Sequence, residues 1–361
     1  MKRATNSPLM REKNEKIILS IINKGPVSRT DVAKKAGLTK AAVTIMVDDL
    51  KKRNIIIEEM GTSDAVGRKP VMLFLNDKAF YMVGINITRR HITMGIVDLC
   101  GNIVIKDVLP IDSPNNSFEM IEKTFKEQIL KSGIDISKIY KISVVTPGPV
   151  DVKKGIILNP PNFKKWHNVS IVEKLTQKLG ADVILANISS ATAIAEKYFG
   201  AAKDNENFVT IQADEGIGSG MVINDNLFKG PCELGHTSIK YDGVKCECGN
   251  YGCLEKYASI SNILAGTKYL SWQEAVDNDD VIIEKEAEYL STAIISANNI
   301  FAFDKIVLCG DLTYEPEKII KFIVENLEKN MLFNNFPQIC AGKVKSKLLI
   351  AASMAIHHFF T

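Results

Sequence analysis

The chain has 361 residues, of which 46% are hydrophobic and 24% charged, and its formal net charge is +3. This length predicts two or three compact units, and the composition excludes a largely disordered protein. The sequence has no run of about 18 apolar residues and no secretory signal, so we expect a cytoplasmic protein without a membrane partner.

The charge is distributed unevenly along the chain. Residues 1–80 hold 16 lysines and arginines against 9 acidic residues, whereas residues 81–361 hold 29 against 33. A basic end joined to an acidic body is typical of a module that binds a polyanion, although a solvated basic surface produces the same imbalance. The elements predicted in the basic end therefore decide how it is interpreted.

Three short helices are predicted in the basic end. The first covers residues 11–24, where isoleucines recur at four-residue spacing. Ser28 begins a second helix that Gly37 ends, and Thr39 caps a third. The buried face of the third helix consists of apolar residues spaced four and three apart: Val43, Val47 and Leu50.

The third helix is followed by a predicted β-hairpin. Strand-forming residues at 55–57 and 71–75 flank a polar loop that contains Arg68 and Lys69. Three helices and such a hairpin predict a winged helix-turn-helix over residues 10–76, and we assign residues 1–76 to this domain.

Two surfaces of this domain are predicted to contact double-stranded DNA. The third helix presents Lys40, Ala41, Thr44 and Ile45, a mixture suited to phosphates, base edges and thymine methyl groups. Arg68 and Lys69 in the wing loop would enter the narrow minor groove of A·T-rich DNA. The alternative is a winged helix that contacts protein.

From residue 81 onwards, strands alternate with helices, which predicts an α/β body. The first lobe, residues 80–195, opens with three strands and contains helices over 117–132 and 169–179. The second lobe, residues 196–361, contains long helices over 259–300. Its terminal helix could return to the first lobe.

A candidate metal site lies in the second lobe. Three of the seven cysteines, Cys246, Cys248 and Cys253, follow His236 within one loop. Three thiolates and one imidazole suit tetrahedral zinc, and four protein ligands leave no position for a catalytic water, so the zinc would be structural. The alternative is three free cysteines in a loop of a protein from a reducing compartment.

These motifs resemble those of a known family. The segment Glu-Leu-Gly-His at 233–236, ten residues before the cysteine run, resembles the zinc signature of the ROK family, which is named for repressors, open reading frames and kinases. Other segments agree with the family in order: residues 84–102, Thr-Pro-Gly-Pro-Val-Asp at 146–151, Asn-Pro-Pro-Asn at 159–162 with Trp166, and Gly-Ile-Gly at 216–218. Residues 25–70 are similar to the operator-binding domain of the xylose-repressor-like branch.

The resemblance implies an actin-like, ribonuclease H-like body with two lobes around a sugar cleft, and a homodimer or homotetramer. In family members, the acidic and histidine side chains beside the cysteines face sugar hydroxyls, and this chain keeps them. A sugar or sugar phosphate effector is therefore expected at Asn162, Asn187, Glu233, His236 and Glu255. Alternatively, Glu233 and Glu255 only support the zinc loop.

Departures from the family pattern concern phosphoryl transfer. Asn86 replaces an acid in the phosphate loop of the family's kinases, and Thr88 and Arg89 replace glycines, which obstructs close approach of phosphate. Ile188 stands where those kinases carry the general base, and it cannot accept a proton. The loop 309–311 keeps one glycine where the family has several.

We therefore expect a DNA-binding transcriptional regulator rather than an enzyme. It would repress carbohydrate genes at a double-stranded operator and respond to an effector in a cleft derived from a kinase. Two alternatives remain at this point. One is an active sugar kinase with an added DNA-binding domain, and the other is a regulator that responds to a protein partner.

Overall fold

The computed structural model describes residues 7–60, 71–332 and 336–361. It divides the chain into two compact units, the first formed by Met1–Asn187 with Ser346–Thr361 and the second by Ile188–Lys345. No helix in the described ranges is long and apolar enough to cross a membrane. The predicted wing loop with Arg68 and Lys69 lies outside the described residues.

The N-terminal region of the first unit combines three helices with a small antiparallel sheet in the order β1-β3-β2. Its elements are α1 (Ser7–Asn23), β1 (Val27–Ser28), α2 (Arg29–Ala36), α3 (Lys40–Lys52), β2 (Ile56–Met60) and β3 (Val71–Leu75). Ser28 caps α2 by accepting from the Asp31 amide, and Thr39 caps α3 by accepting from the Ala42 amide. The predicted face of α3 is buried completely.

The remainder of the first unit is built on a five-stranded sheet in the order β11-β7-β4-β5-β6. These strands are β4 (Tyr81–Ile87), β5 (His91–Asp98), β6 (Ile103–Pro110), β7 (Ile139–Thr146) and β11 (Val183–Asn187). A small antiparallel sheet contains β8 (Val150–Asp151), β9 (Ile156–Ile157) and β10 (Val169–Ser170). The helices are α4 (Pro114–Ser132), α5 (Ile171–Leu179) and the terminal α12 (Lys347–Phe360).

Helix α12 packs closely against the middle of this sheet. Gly84 on β4 lies opposite Gly95 on β5. A Cβ atom at Gly84 would lie 2.7 Å from the Ala352 nitrogen, and one at Gly95 would lie 2.8 Å from a Leu348 methyl group. The glycine pair therefore forms the groove in which α12 lies.

The second unit has the same strand arrangement, in the order β14-β13-β12-β15-β16. Its strands are β12 (Phe208–Ala213), β13 (Ile217–Ile223), β14 (Asn226–Leu227), β15 (Lys305–Gly310) and β16 (Gln338–Ala341). In each unit a three-stranded antiparallel run is extended by two parallel strands beside its first strand. The helices of the second unit are α6 (Ile188–Phe199), α7 (Glu255–Ala258), α8 (Ile260–Ile263), α9 (Trp272–Asn278), α10 (Asp280–Phe301) and α11 (Pro316–Asn330).

The long helices predicted over 259–300 are interrupted in the structure. Helix α8 ends at Ile263, and α9 begins only after Ser271, whose side chain accepts from the Glu274 amide. Asp279 then caps α10 by accepting from the Val281 amide. These two caps favour new helix starts over one continuous helix.

Candidate functional site

The exposed face of α3 carries three of the residues predicted to contact DNA. Lys40, Ala41 and Thr44 are all exposed. The Thr44 hydroxyl donates to the Lys40 carbonyl over 2.8 Å, which fixes the orientation of its side chain. Because the opposite face is fully buried, α3 presents this surface rigidly.

A network of ion pairs, which was not anticipated from the sequence, holds α3 in place. Arg29 at the start of α2 donates over 2.7 Å to Asp48 on α3 and over 2.8 Å to Glu58 on β2. Lys51 on α3 also donates to Glu58. The hydrogen bond from Arg29 lowers the pKa of Asp48. Partial burial opposes ionisation of Glu58, but Lys51 and Arg29 outweigh it and lower the pKa of Glu58.

The four predicted metal ligands converge. Their ligand atoms in His236, Cys246, Cys248 and Cys253 all lie within 4.8 Å of one another. The Cys246 sulfur lies 3.7 Å from His236 Nδ1, and the sulfurs of Cys248 and Cys253 are 3.6 Å apart. Tetrahedral ligands at zinc distances of about 2.0–2.3 Å are separated by about 3.5–3.8 Å. The four donor atoms therefore fit a cation with tetrahedral coordination.

The loop backbone explains this convergence. Gly252 has a φ of 66°, and a Cβ atom there would lie 1.6 Å from the Lys240 carbonyl oxygen, so only glycine fits. The neighbouring Cys253 pairs with Ser238 in an antiparallel bridge. Burial raises the pKa of Cys253 to about 12, which disfavours a free thiolate at this position.

Besides His236 itself, two predicted effector residues of the second unit, Glu233 and Glu255, lie near the metal cluster. Partial burial raises the pKa of Glu233, while His236 lowers it and Glu255 raises it, so the three groups interact electrostatically. One carboxylate oxygen of Glu255 accepts from the Ile217 amide over 2.8 Å. This hydrogen bond fixes the Glu255 side chain at the start of β13.

The other two predicted effector residues belong to the first unit. Asn187 ends β11 and pairs in register with Thr146 on β7. Asn162 is exposed and has a φ of 56°. The adjacent Pro161 carbonyl accepts a 3.0 Å hydrogen bond from the Arg89 side chain. The structure thus connects the β4–β5 turn to the loop that carries Asn162.

The positions that depart from the kinase pattern have structural partners. Asn86 is fully buried, and its amide group donates to the Lys347 carbonyl at the start of α12 over 3.3 Å.

In the second unit, Asp214 follows β12, and one of its carboxylate oxygens accepts from the Asp311 amide over 3.1 Å. Sequence reasoning missed Asp214, although the acidic pair 214–215 directly before Gly216 is visible in the sequence.

The strand arrangement is repeated in the two units, and the second unit also holds the histidine–cysteine cluster. These features define an α/β protein of the actin-like class with a candidate metal site. Residues 82–355 match the family described as the ROK family. The chain belongs to the ROK family.

Curated relatives align with most of the chain. The chain is 30% identical to the xylose repressor of Bacillus spizizenii over 368 residues, which cover 96% of this chain and 95% of that protein. It is 27% identical to the DNA-binding transcriptional dual regulator NagC of Escherichia coli, over 89% of this chain and 86% of that protein. These relatives are named as regulators of transcription.

Solved structures show the same fold. A ROK family transcriptional regulator, described as a homologue of the Escherichia coli MLC protein, superposes with a TM-score of 0.82 at 24% identity and covers 97% of both chains. The ROK hexokinase of Thermus thermophilus superposes with a TM-score of 0.67 at 24% identity, over 78% of this chain and 99% of that chain. The expected actin-like fold is confirmed, and it is shared by regulators and kinases.

Proposed function

We propose that the protein is a DNA-binding transcriptional repressor of sugar-metabolism genes. The observation that supports this most is the helix α3, whose buried face and ion-pair network fix an exposed surface with Lys40, Ala41 and Thr44. The N-terminal region has the element order of a winged helix-turn-helix, in which such a helix enters the major groove. Relatives that align along most of this chain and are named repressors support the same function.

In this proposal Arg68 and Lys69 also contact the DNA. A homodimer or homotetramer would place two such domains on the two half-sites of an operator. A repressor of this kind would act in the cytoplasm, where bacterial DNA is accessible.

We propose that the body does not transfer phosphate. Ile188 has no group that accepts a proton, and the Asn86 amide already donates to the α12 backbone. The loop after β15 keeps one glycine where the family's kinases have several near the adenine, and its Asp311 amide already donates to the Asp214 carboxylate. A coupled ADP-release assay with hexoses and N-acetylated hexosamines should detect no turnover. Clear turnover by the unmodified protein would favour the sugar-kinase alternative.

We propose zinc as the cation of the cluster, in a structural role. His236 Nδ1 and three cysteine sulfurs provide four donors, and a zinc ion would link both ends of the loop from His236 to Cys253. The thiolates would be formed by release of their protons to solvent when the ion binds.

We propose a sugar or sugar phosphate as the effector, bound by Glu233, His236 and Glu255. Asn162 and Asn187 remain proposed effector-binding residues. Carboxylates accept hydrogen bonds from hydroxyl groups, and asparagine both donates and accepts. The Glu255 hydrogen bond to the Ile217 amide agrees with the alternative that this residue supports the loop, so variants must separate the two roles.

The function can be tested with the full-length protein and fragments of its own genome. Fragments that carry an operator should be captured, lie beside carbohydrate genes and bind more weakly as salt increases. A sugar or sugar phosphate should release them and raise the thermal unfolding temperature. Failure to capture any fragment above a random background would refute the proposed function. A sugar effect that survives both Glu233→Ala and Glu255→Ala would refute the effector site.

A further inference from the structure

The DNA-facing side of α3 is dominated by methyl groups. Ile45 is 64% exposed, although it is a large apolar residue, and exposed Ala41 and Thr44 are its neighbours along the helix. The Thr44 hydroxyl donates its proton to the Lys40 carbonyl within the helix, so its hydrogen cannot be given to a base. Three neighbouring side chains therefore offer carbon rather than hydrogen-bond donors.

The acidic side chains in the second half of α3 are already paired. Asp48 accepts from Arg29 over 2.7 Å. Asp49 forms ion pairs with Arg11 and Arg53, each at 3.4 Å. Both carboxylates of this helix, which could otherwise accept a hydrogen bond from the amino group of cytosine, are therefore already bonded to arginines.

The sequence of α3, Lys40–Lys52, also contains no arginine, asparagine or glutamine. Arginine or lysine binds guanine, and asparagine or glutamine binds adenine, with two hydrogen bonds in the major groove, so lysine is the only side chain of this kind on α3. The one base feature that is recognised by apolar contact is the 5-methyl group of thymine. Lys40 at the exposed start of the helix is left for phosphate contact.

We infer that α3 recognises thymine methyl groups in its half-site, with Ile45 as the main specificity-determining residue. This inference rests on the proposed DNA-binding function and names the class of sequence that is bound. A half-site read in this way contains adjacent A·T pairs whose thymines present their methyl groups along one groove. Lys40 adds affinity that does not depend on the sequence.

The test begins with selection of duplexes from a random DNA library by the full-length protein. Each thymine of the selected half-site is then replaced singly by deoxyuridine, which removes one methyl group and keeps every hydrogen-bonding group. Loss of a buried methyl contact should weaken binding about fourfold, which corresponds to about 0.8 kcal/mol. At least one position should show this effect.

Two variants assign the contact. The Ile45→Ala variant should bind the thymine and deoxyuridine duplexes equally. Because the Ile45 side chain is mostly exposed, the unfolding temperature of this variant should equal that of the parent protein. Lys40→Gln is the matched control. It should weaken both duplexes by the same factor, keep their ratio and lower the dependence of binding on salt.

The outcomes separate this inference from the proposed function. If no sequence is selected and no salt-dependent binding is found, the DNA-binding function itself is wrong. If duplexes are selected but deoxyuridine has no effect at any position, thymine recognition is wrong and DNA binding stands. If deoxyuridine weakens Ile45→Ala as much as the parent protein, the methyl contact belongs to another residue.

Discussion

The replacement Arg29→Ala should loosen α3 without changing any residue that is proposed to contact DNA. Arg29 connects α2 to α3 through Asp48 and to β2 through Glu58. The side chains of Arg29 and Glu58 are 28% and 19% exposed. A hydrogen bond to a charged group contributes about 1.5–3 kcal/mol when buried, and exposed ion pairs contribute at most about 1 kcal/mol. After discounting for solvent screening, we assign roughly 1–2 kcal/mol to the contact between Arg29 and Glu58.

This loss can be measured by hydrogen exchange of the α3 amides in the full-length protein. Local opening should become about 5- to 30-fold more frequent in Arg29→Ala. Arg11→Ala is the matched control, because Arg11 is 56% exposed and lies 3.4 Å from Asp49. Exchange in this control should stay close to that of the parent protein. Equal exchange in the two variants would refute the positioning role of Arg29.

The effect of Arg29→Ala should depend on pH. The folded protein lowers the pKa of both Asp48 and Glu58 below their ordinary values of 3.8 and 4.5. The stabilisation is therefore complete above pH 4.5 and is lost as the pH falls through the lowered pKa values. The difference in protection between parent and variant should shrink from pH 6 to pH 3. A constant difference would show that the ion pairs are not its cause.

Three further predictions concern other parts of the chain. Elemental analysis should find about one zinc per chain, and Cys248→Ser should reduce it; full occupancy in this variant would contradict the assignment. Replacing Arg68 and Lys69 by alanine should weaken operator binding and reduce its salt dependence, and unchanged binding would remove the wing from the interface. Glu286 is fully buried without a hydrogen-bond partner among the described residues, and burial raises its pKa well above 4.5. The folded chain therefore retains a proton that the unfolded chain releases, so stability falls as the pH rises above 4.5. Glu286→Met should gain stability relative to the parent between pH 6 and pH 8 in urea unfolding, and a pH-independent difference would contradict this.

Local signals in the sequence were sufficient for much of the fold. Caps at Ser28 and Thr39 and the apolar spacing in α3 depend on residues within one or two turns, and the structure contains them. Helix α4 begins at Pro114, three residues before the predicted start, because proline fits the first turn of a helix. Helix α6 was not predicted, and its buried residues include serine, threonine and glutamate beside small and apolar ones, so burial there does not follow polarity.

Contacts between residues far apart in the chain could not be predicted. The metal ligands were identified because their types and short spacings carry the signal. Arg29 and Glu58 are 29 residues apart, and Asp214 and Asp311 are 97 apart, so neither pair leaves a local pattern. The sequence shows that an arginine or aspartate is present, but only the fold determines which partner it bonds to.

His236 belongs to both the proposed metal site and the proposed effector site, which gives a reason for the proposed regulator to keep a metal site. His236 Nδ1 lies beside the Cys246 sulfur, so a zinc ion at the cluster leaves Nε2 as the nitrogen for an effector hydroxyl. The ion would thereby fix the tautomer and the ring orientation of His236. Glu233, whose pKa responds to His236, would then face an oriented imidazole rather than a mobile one. In the proposed function, zinc would thus support effector recognition through the His236 ring and would take no part in chemistry.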